Sequence, residues 1–532
     1  MTTKVEVPVG GRKTGGAVEP VSMRYARLLL AALFVLSLLP AVSAGAAVLD
    51  LSEAVSVATP IDESVSSPNM THVANVEWDF SLRDAERSTP DIAGGTDVEF
   101  ATIDGRDYAV AGTYSNGLQI IDITDPEAPA LVSQYHCDVL QGDVQVFTRE
   151  EVDGTDTVTR TYATYAVEGG SSNRAPSQCF ADAGVSADAG TLFIDISTPT
   201  APEAVGFARI AEGTHNQSVH PDGEYMYNSN SGGCGGCIEV IDIRDLSNPT
   251  EVMRIESTSA TGEDSHDITF SADGTRAYSA AIDVTMIIDT TDPAAPTVIS
   301  SIVDPAVTLH HQSDPVTIGD REFVIINDEL AGAAGNEVCP GGGLHVWEIT
   351  GDMEADPQKV GAFFTPEVTV REGAGTGVSV SGIGVVTCTS HVFRIYEEQE
   401  KLVIGWFGAG VHVIDLSGLA DVPVAVSAGV LGQSVGVGME EVGFFRFNNS
   451  DTWSAKVMEW DGDGSAYIFA DDQTRGFDVY HFDNTAETAE NPGTWMSPTA
   501  ALERLDALLA TGFVPKQYLI CDLTLGRAQL FQ

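Results

Sequence analysis

Lysine is almost missing from this chain: six of 532 residues, at Lys4, Lys13, Lys359, Lys401, Lys456 and Lys516. Lys and Arg together number 26 against 77 Asp and Glu, a formal net charge of -51. A surface of that sign repels phosphate backbones and anionic lipids, which argues against nucleic acid as a partner. Motifs for nucleophiles and phosphate cradles are missing too: there is no G-x-S-x-G elbow, no P-loop and no H-E-x-x-H. Long apolar runs are confined to the N-terminus, where Leu28–Pro40 is short for a bilayer span. That run follows Arg24 and Arg27 and precedes the small residues Val42-Ser43-Ala44, the order of a secretory signal. Residues 1–44 are expected to be a signal peptide, with Met23 a candidate start. The mature protein is then extracytoplasmic, secreted or at the cell surface, with no transmembrane segment after signal removal.

What the chain does have is a repeat, and the repeat decides the fold. NGLQIIDITDPEAPALVSQY from Asn116 returns as GTLFIDISTPTAPEAVGFARI from Gly190, CIEVIDIRDLSNPTEVMRI from Cys237 and VTMIIDTTDPAAPTVISSI from Val284. Weaker copies start at Gly343, Ala409 and Arg475, which makes seven. The aligned acidic position is Asp122, Asp195, Asp242, Asp289, Glu348 and Asp415, with His481 in the last copy. Each copy reads as two strands around a Pro-containing turn, with the acidic residue capping the turn. Two further strands precede each copy, joined by hairpins such as Pro221-Asp222-Gly223 and Ala272-Asp273-Gly274. Four antiparallel strands per unit, seven times, with no helices between, predict a seven-bladed all-β propeller. The seventh copy lacks an outer strand. The alternating segment NVEWDFSL, 75–82, is expected to supply it and close the ring. The expected organisation is a linker over 45–74, the propeller over 75–483, and an extension over 484–532 with one helix that starts at Ser497 and Pro498.

The phrases IIDITDP, FIDISTP, VIDIRDL, MIIDTTDP and VIDLSGL resemble the LVIVD repeat family, over about residues 75–482. The resemblance implies a β-propeller of exported or surface proteins. It implies no catalytic assignment.

Aligning the starts of the inner strands gives Asp97, Asp143, His215, His266, His310-His311, His391 and, last, Trp453 or Ser454. In a propeller these positions surround one mouth of the central channel. His215, His266, His311 and His391 would therefore meet, and converging imidazoles suit Fe, Cu, Zn or Mn. Metal-bearing propellers such as carotenoid oxygenases and selenium-binding proteins are similar in that single respect. Polar lining of the channel is the competing reading. Asp97, Asp143, Asn216, Asp267 and His310 complete the expected mouth.

Cysteines gather near the same face. Cys137–Cys179 and Cys339–Cys388 are plausible bridges, and Cys234-Gly-Gly-Cys237 is open to redox activity, to metal binding with a nearby His or to a local disulfide, the commonest of the three in an exported protein. Two functions remain open on the sequence. One is a binding propeller that holds a small molecule, a glycan or a protein at the mouth. The other is a metalloenzyme, an oxidoreductase or lyase, with a His-ligated metal on the axis.

Overall fold

Seven four-stranded antiparallel sheets follow one another along the chain, one for each copy of the repeat. The computed structural model describes residues 64–78, 94–114, 116–139, 141–168, 177–186, 188–211, 213–231, 237–256, 265–329, 342–365, 389–422 and 438–486, with the backbone of 518–522 and 527–531. The expected signal peptide, the helix expected from Ser497, and Cys234, Cys339 and Cys388 lie outside these residues.

The first strands of the seven blades are Gly95–Ile103, Val144–Asp153, Asn216–Val219, Asp267–Phe270, His310–Ile318, Phe393–Tyr396 and Thr452–Trp460. Each contacts the first strand of the next blade, and the seventh contacts the first, so they form a closed inner ring. The hairpins after them need a left-handed residue. Gly223 and Gly274 provide it at φ 70°, where a side chain would be strained. The third strands are the repeated apolar strands, buried on both faces, as Leu118–Asp122 and Val284–Asp289 are. Blade faces pack on blade faces. Val110, Leu118 and Tyr135 of blade one meet Val144, Ala163 and Leu192 of blade two in one apolar cluster.

The repeated acidic residue caps its turn as expected. Asp122, Asp195, Asp242, Asp289 and Asp415 each accept the backbone N–H two residues on, at 2.8–3.1 Å. The scarce basic residues cluster there as well. Arg160, Arg321 and Lys401, each on a second strand, reach Asp195, Glu348 and Asp415.

Ring closure follows the expected principle with a different segment. Met70–Val76, not 75–82, pairs with Gly476–Phe482 as the outer strand of blade seven. Ser64–Ser66 adds a fifth strand to blade six. The linker expected to run to residue 74 therefore contains sheet. A polar pair fixes this register: His72 Nε2 lies 2.7 Å from the fully buried Asp478 Oδ1. Hydrophobic alternation cannot show such a pair. Trp78, read from its spacing as part of the strand, is buried past the strand's end with its ring 6.2 Å from that of Phe477. The C-terminal extension carries an antiparallel strand pair, Tyr518–Asp522 with Arg527–Phe531.

Candidate metal centre at the channel mouth

Four histidines from blades three to six meet at the starts of their inner strands. Ring centroids are 4.5 Å apart for His215 and His266, 4.4 Å for His266 and His311, and 4.1 Å for His311 and His391. These imidazoles are the side chains aligned in the sequence. They line one cavity of about 10 Å³, near the volume of a single water, together with Thr96, Gln141, Asp143, Asn216, Val392 and Trp453.

The ring nitrogens are oriented by their partners. His266 Nδ1 lies 3.0 Å from the carbonyl oxygen of His311, and His391 Nδ1 lies 2.8 Å from that of Trp453. A carbonyl only accepts, so Nδ1 carries the proton in both rings and Nε2 presents a lone pair. His215 Nδ1 lies 2.6 Å from Glu168 Oε1, which turns its Nε2 toward His266 Nε2 at 3.0 Å. Anchoring one ring nitrogen on a carbonyl or carboxylate is how proteins orient metal-binding histidines.

A carboxylate completes the group. Glu329 directly follows the second strand of blade five, Arg321–Asp328. Its oxygens lie 3.8 Å from His311 Nε2 and 3.6 Å from His391 Nε2. One ligand atom each from His266, His311 and Glu329 falls within 4.8 Å of the others. Donors bound at about 2.1 Å to a tetrahedral ion sit roughly 3.4 Å apart, so small shifts suffice to close this group on a metal.

Burial sets the charge states. It pushes the His266 and His311 pKa well down, helped by the neighbouring imidazoles, and pushes His391 down to about 3. These rings are neutral at ordinary pH, the form that binds metal. Burial also opposes charge on His215, but Glu168 and Glu329 outweigh it and its pKa is raised. Glu329 is pushed up to about 7 by burial, against the pull of His215.

The other expected mouth residues divide. Asp143 and Asn216 line the same cavity as the histidines. Asp97 pairs with Lys456, whose Nζ is 2.7 Å from Oδ1 and which also reaches Glu99 at 2.8 Å. Burial raises Asp143 well above the usual range, with the charges of Asp97 and Asp267 adding to it. Asp267 is pushed up to about 7 by burial and by Asp314 and Asp97. Asp143 and Asp267 thus hold their protons to higher pH than free carboxyls do. His310 points elsewhere. A bulge between His310 and Ser313 separates it from His311, and its Nδ1 lies 2.9 Å from Thr285 Oγ1 inside the sheet.

Aromatic side chains pack around His391. His391 is flanked by Trp453 and Phe407 at ring distances of 4.2 and 4.5 Å, and Tyr114 meets Trp453 at 5.6 Å. Sequence reasoning missed Glu168, Glu329 and Tyr114. Each directly follows a second strand, which ends on the face where the inner strands begin. That shared position was the signal available.

Of the expected bridges, Cys137–Cys179 is formed, with Cα atoms 5.2 Å apart. Cys237 is also disulfide-bonded.

Residues 106–137 match the LVIVD repeat model. The match spans the last three strands of blade one and ends on Cys137. No curated protein matches the chain. Among solved structures, it is similar to the crystal structure of a functionally unknown protein from Desulfotomaculum acetoxidans DSM 771. The identity is 13%, over 65% of this chain and 88% of that one, with a TM-score of 0.39.

Proposed function

We propose that this propeller binds one transition-metal ion at its channel mouth, through His266, His311 and Glu329, with His215 and His391 adjacent. One observation carries the reading: three ligand atoms within 4.8 Å of one another, in a ring of four histidines from successive blades. Imidazole and carboxylate together suit Zn, Fe, Mn or Cu. The adjoining space admits a ligand of about the size of water, so a larger small molecule, a glycan or a protein would have to approach from outside the cavity. An extracytoplasmic location belongs to the same reading. The Cys137–Cys179 bridge fits an oxidising compartment, and no helix among the described residues is long and apolar enough to cross a membrane.

Catalysis at the metal, as an oxidoreductase or lyase, is the second reading. It is supported by the three ligand atoms that converge among the described residues, a set that leaves positions for water or substrate.

Elemental analysis of purified protein tests the first reading. Wild type should carry or take up one equivalent of metal, and His266→Ala and Glu329→Ala should lose it while keeping the β-sheet circular dichroism of wild type. Equal metal content in all three, or no uptake by wild type from Zn(II), Fe(II), Mn(II) or Cu(II), would refute it.

A further inference from the structure

Away from the channel mouth, blade five buries an amine, a carboxylate and an imidazole together. Lys359 Nζ contacts Asp304 Oδ2, with side-chain exposures of 2% and 0%. His345 Nδ1 lies 2.9 Å from Nζ and 3.5 Å from Oδ2. Ala306 N–H donates to Asp304 Oδ1 at 3.0 Å, and Trp347 Nε1 donates to Oδ2 at 3.3 Å. So few lysines occur in this chain that one fully enclosed, against a single carboxylate, asks for a reason.

The position within the repeat supplies one. Asp304 lies two residues beyond the outer strand of blade four, Thr297–Ile302. Cys137 lies two residues beyond the outer strand of blade one, Ala130–Tyr135. Cys137 uses that position to tie its exit loop covalently to Cys179, between the second and third strands of the next blade. Asp304 at the same position faces Lys359 on the outer strand of the next blade, Gln358–Phe363.

We propose that Lys359 and Asp304 form an intramolecular isopeptide bond, a second covalent staple between consecutive blades. The chemistry balances within the site. The ammonium passes one proton directly to the Asp304 Oδ2 it contacts, which frees the amine and turns the carboxylate into a carboxylic acid, and the amine attacks Cγ. Charge gathering on Oδ1 is met by the Ala306 N–H, as an oxyanion is in acyl transfer. The Nζ–Cγ bond forms and the Cγ–Oδ2 bond breaks. Of the two protons that nitrogen gives up, the first is already on Oδ2 and the second, made acidic once the Nζ–Cγ bond has formed, passes through His345 Nδ1 to Oδ2, which leaves as water. No oxidant or cofactor is consumed, and a site closed to solvent opposes the reverse hydrolysis. Burial holds the His345 pKa down at about 3 and lowers that of Lys359. The amine is then readier to give up its proton, and the ring stays neutral, so that it relays a proton without retaining it.

Intact-mass spectrometry of the reduced, folded wild type tests this directly. The expected mass falls short of that of the processed chain by one water, and a proteolytic digest yields a branched peptide joining Asp304 to Lys359. A full mass in the folded protein, or a water loss mapped to other residues, would overturn the proposal. Lys359→Arg should restore the full mass. His345→Phe, which keeps both reacting groups, should show the unlinked mass in freshly folded protein. Because the decisive spectrum is that of wild type, the result does not depend on either variant folding.

Discussion

His215 Nε2 and His266 Nε2 stand 3.0 Å apart, and His266 Nδ1 is committed to the His311 carbonyl. Two lone pairs repel at that separation, so the contact needs a proton or a cation between them. His215, whose pKa Glu168 and Glu329 raise against the effect of burial, supplies the proton in the metal-free protein. A metal ion that takes His266 must displace it. Affinity should therefore rise with pH, by roughly tenfold per unit for each proton that must leave, that of His215 and that of Glu329, whose pKa burial pushes up to about 7, and level off once both are gone. Glu168→Gln removes the charge that favours His215 protonation, so the part of the rise that belongs to His215 moves to lower pH. Zn(II) titrations between mildly acidic and mildly basic pH check both statements. A pH-independent affinity would contradict the first.

Metal binding should stabilise the fold. A ligand that binds only the native state at a hundred times its dissociation constant adds about 2.7 kcal/mol. Differential scanning fluorimetry should show a rise in Tm on adding the metal to wild type, and none for His266→Ala or Glu329→Ala. An equal rise in the variants would place the ion elsewhere.

The Cys137–Cys179 bridge closes 42 residues of chain. On the chain-entropy estimate a loop of that length contributes about 4 kcal/mol. The double variant Cys137→Ser with Cys179→Ser should lose stability of that order in urea unfolding, and reducing agent should then have little further effect on this bridge.

Acid should weaken the protein partly through His310. Burial pushes its pKa from 6.5 down to about 4. The unfolded chain takes up this proton below pH 6.5 and the native state does not. The contribution is therefore fully present above pH 6.5 and is lost as pH falls towards 4, on the order of 3 kcal/mol across the window. His310→Leu removes the titrating group and should flatten the loss measured by urea midpoints at pH 7 and pH 5. An unchanged slope would show that His310 protonates freely in the native state.

Much of this architecture was legible because propellers repeat. The apolar third strands, their capping Asp residues and the D-G hairpins each recur, and recurrence aligns His215, His266, His311 and His391 at one position of successive blades before any coordinates. Non-repeating features escaped. Glu168 and Glu329 sit after second strands whose ends share no motif, so their approach to the axis depends on strand length. The closing strand was placed five residues late because the His72–Asp478 pair, a cross-strand contact 406 residues apart, sets its register. His310 and His311 are adjacent in sequence but separated by a bulge that no local pattern announces.

Anomalous diffraction from crystals grown with Zn(II), collected on either side of the zinc edge, measures the central claim most directly. A single strong peak is predicted on the propeller axis, within bonding distance of His266 Nε2, His311 Nε2 and a Glu329 carboxylate oxygen. A channel mouth without a peak in protein loaded to one equivalent, or a peak held by other residues, would contradict it.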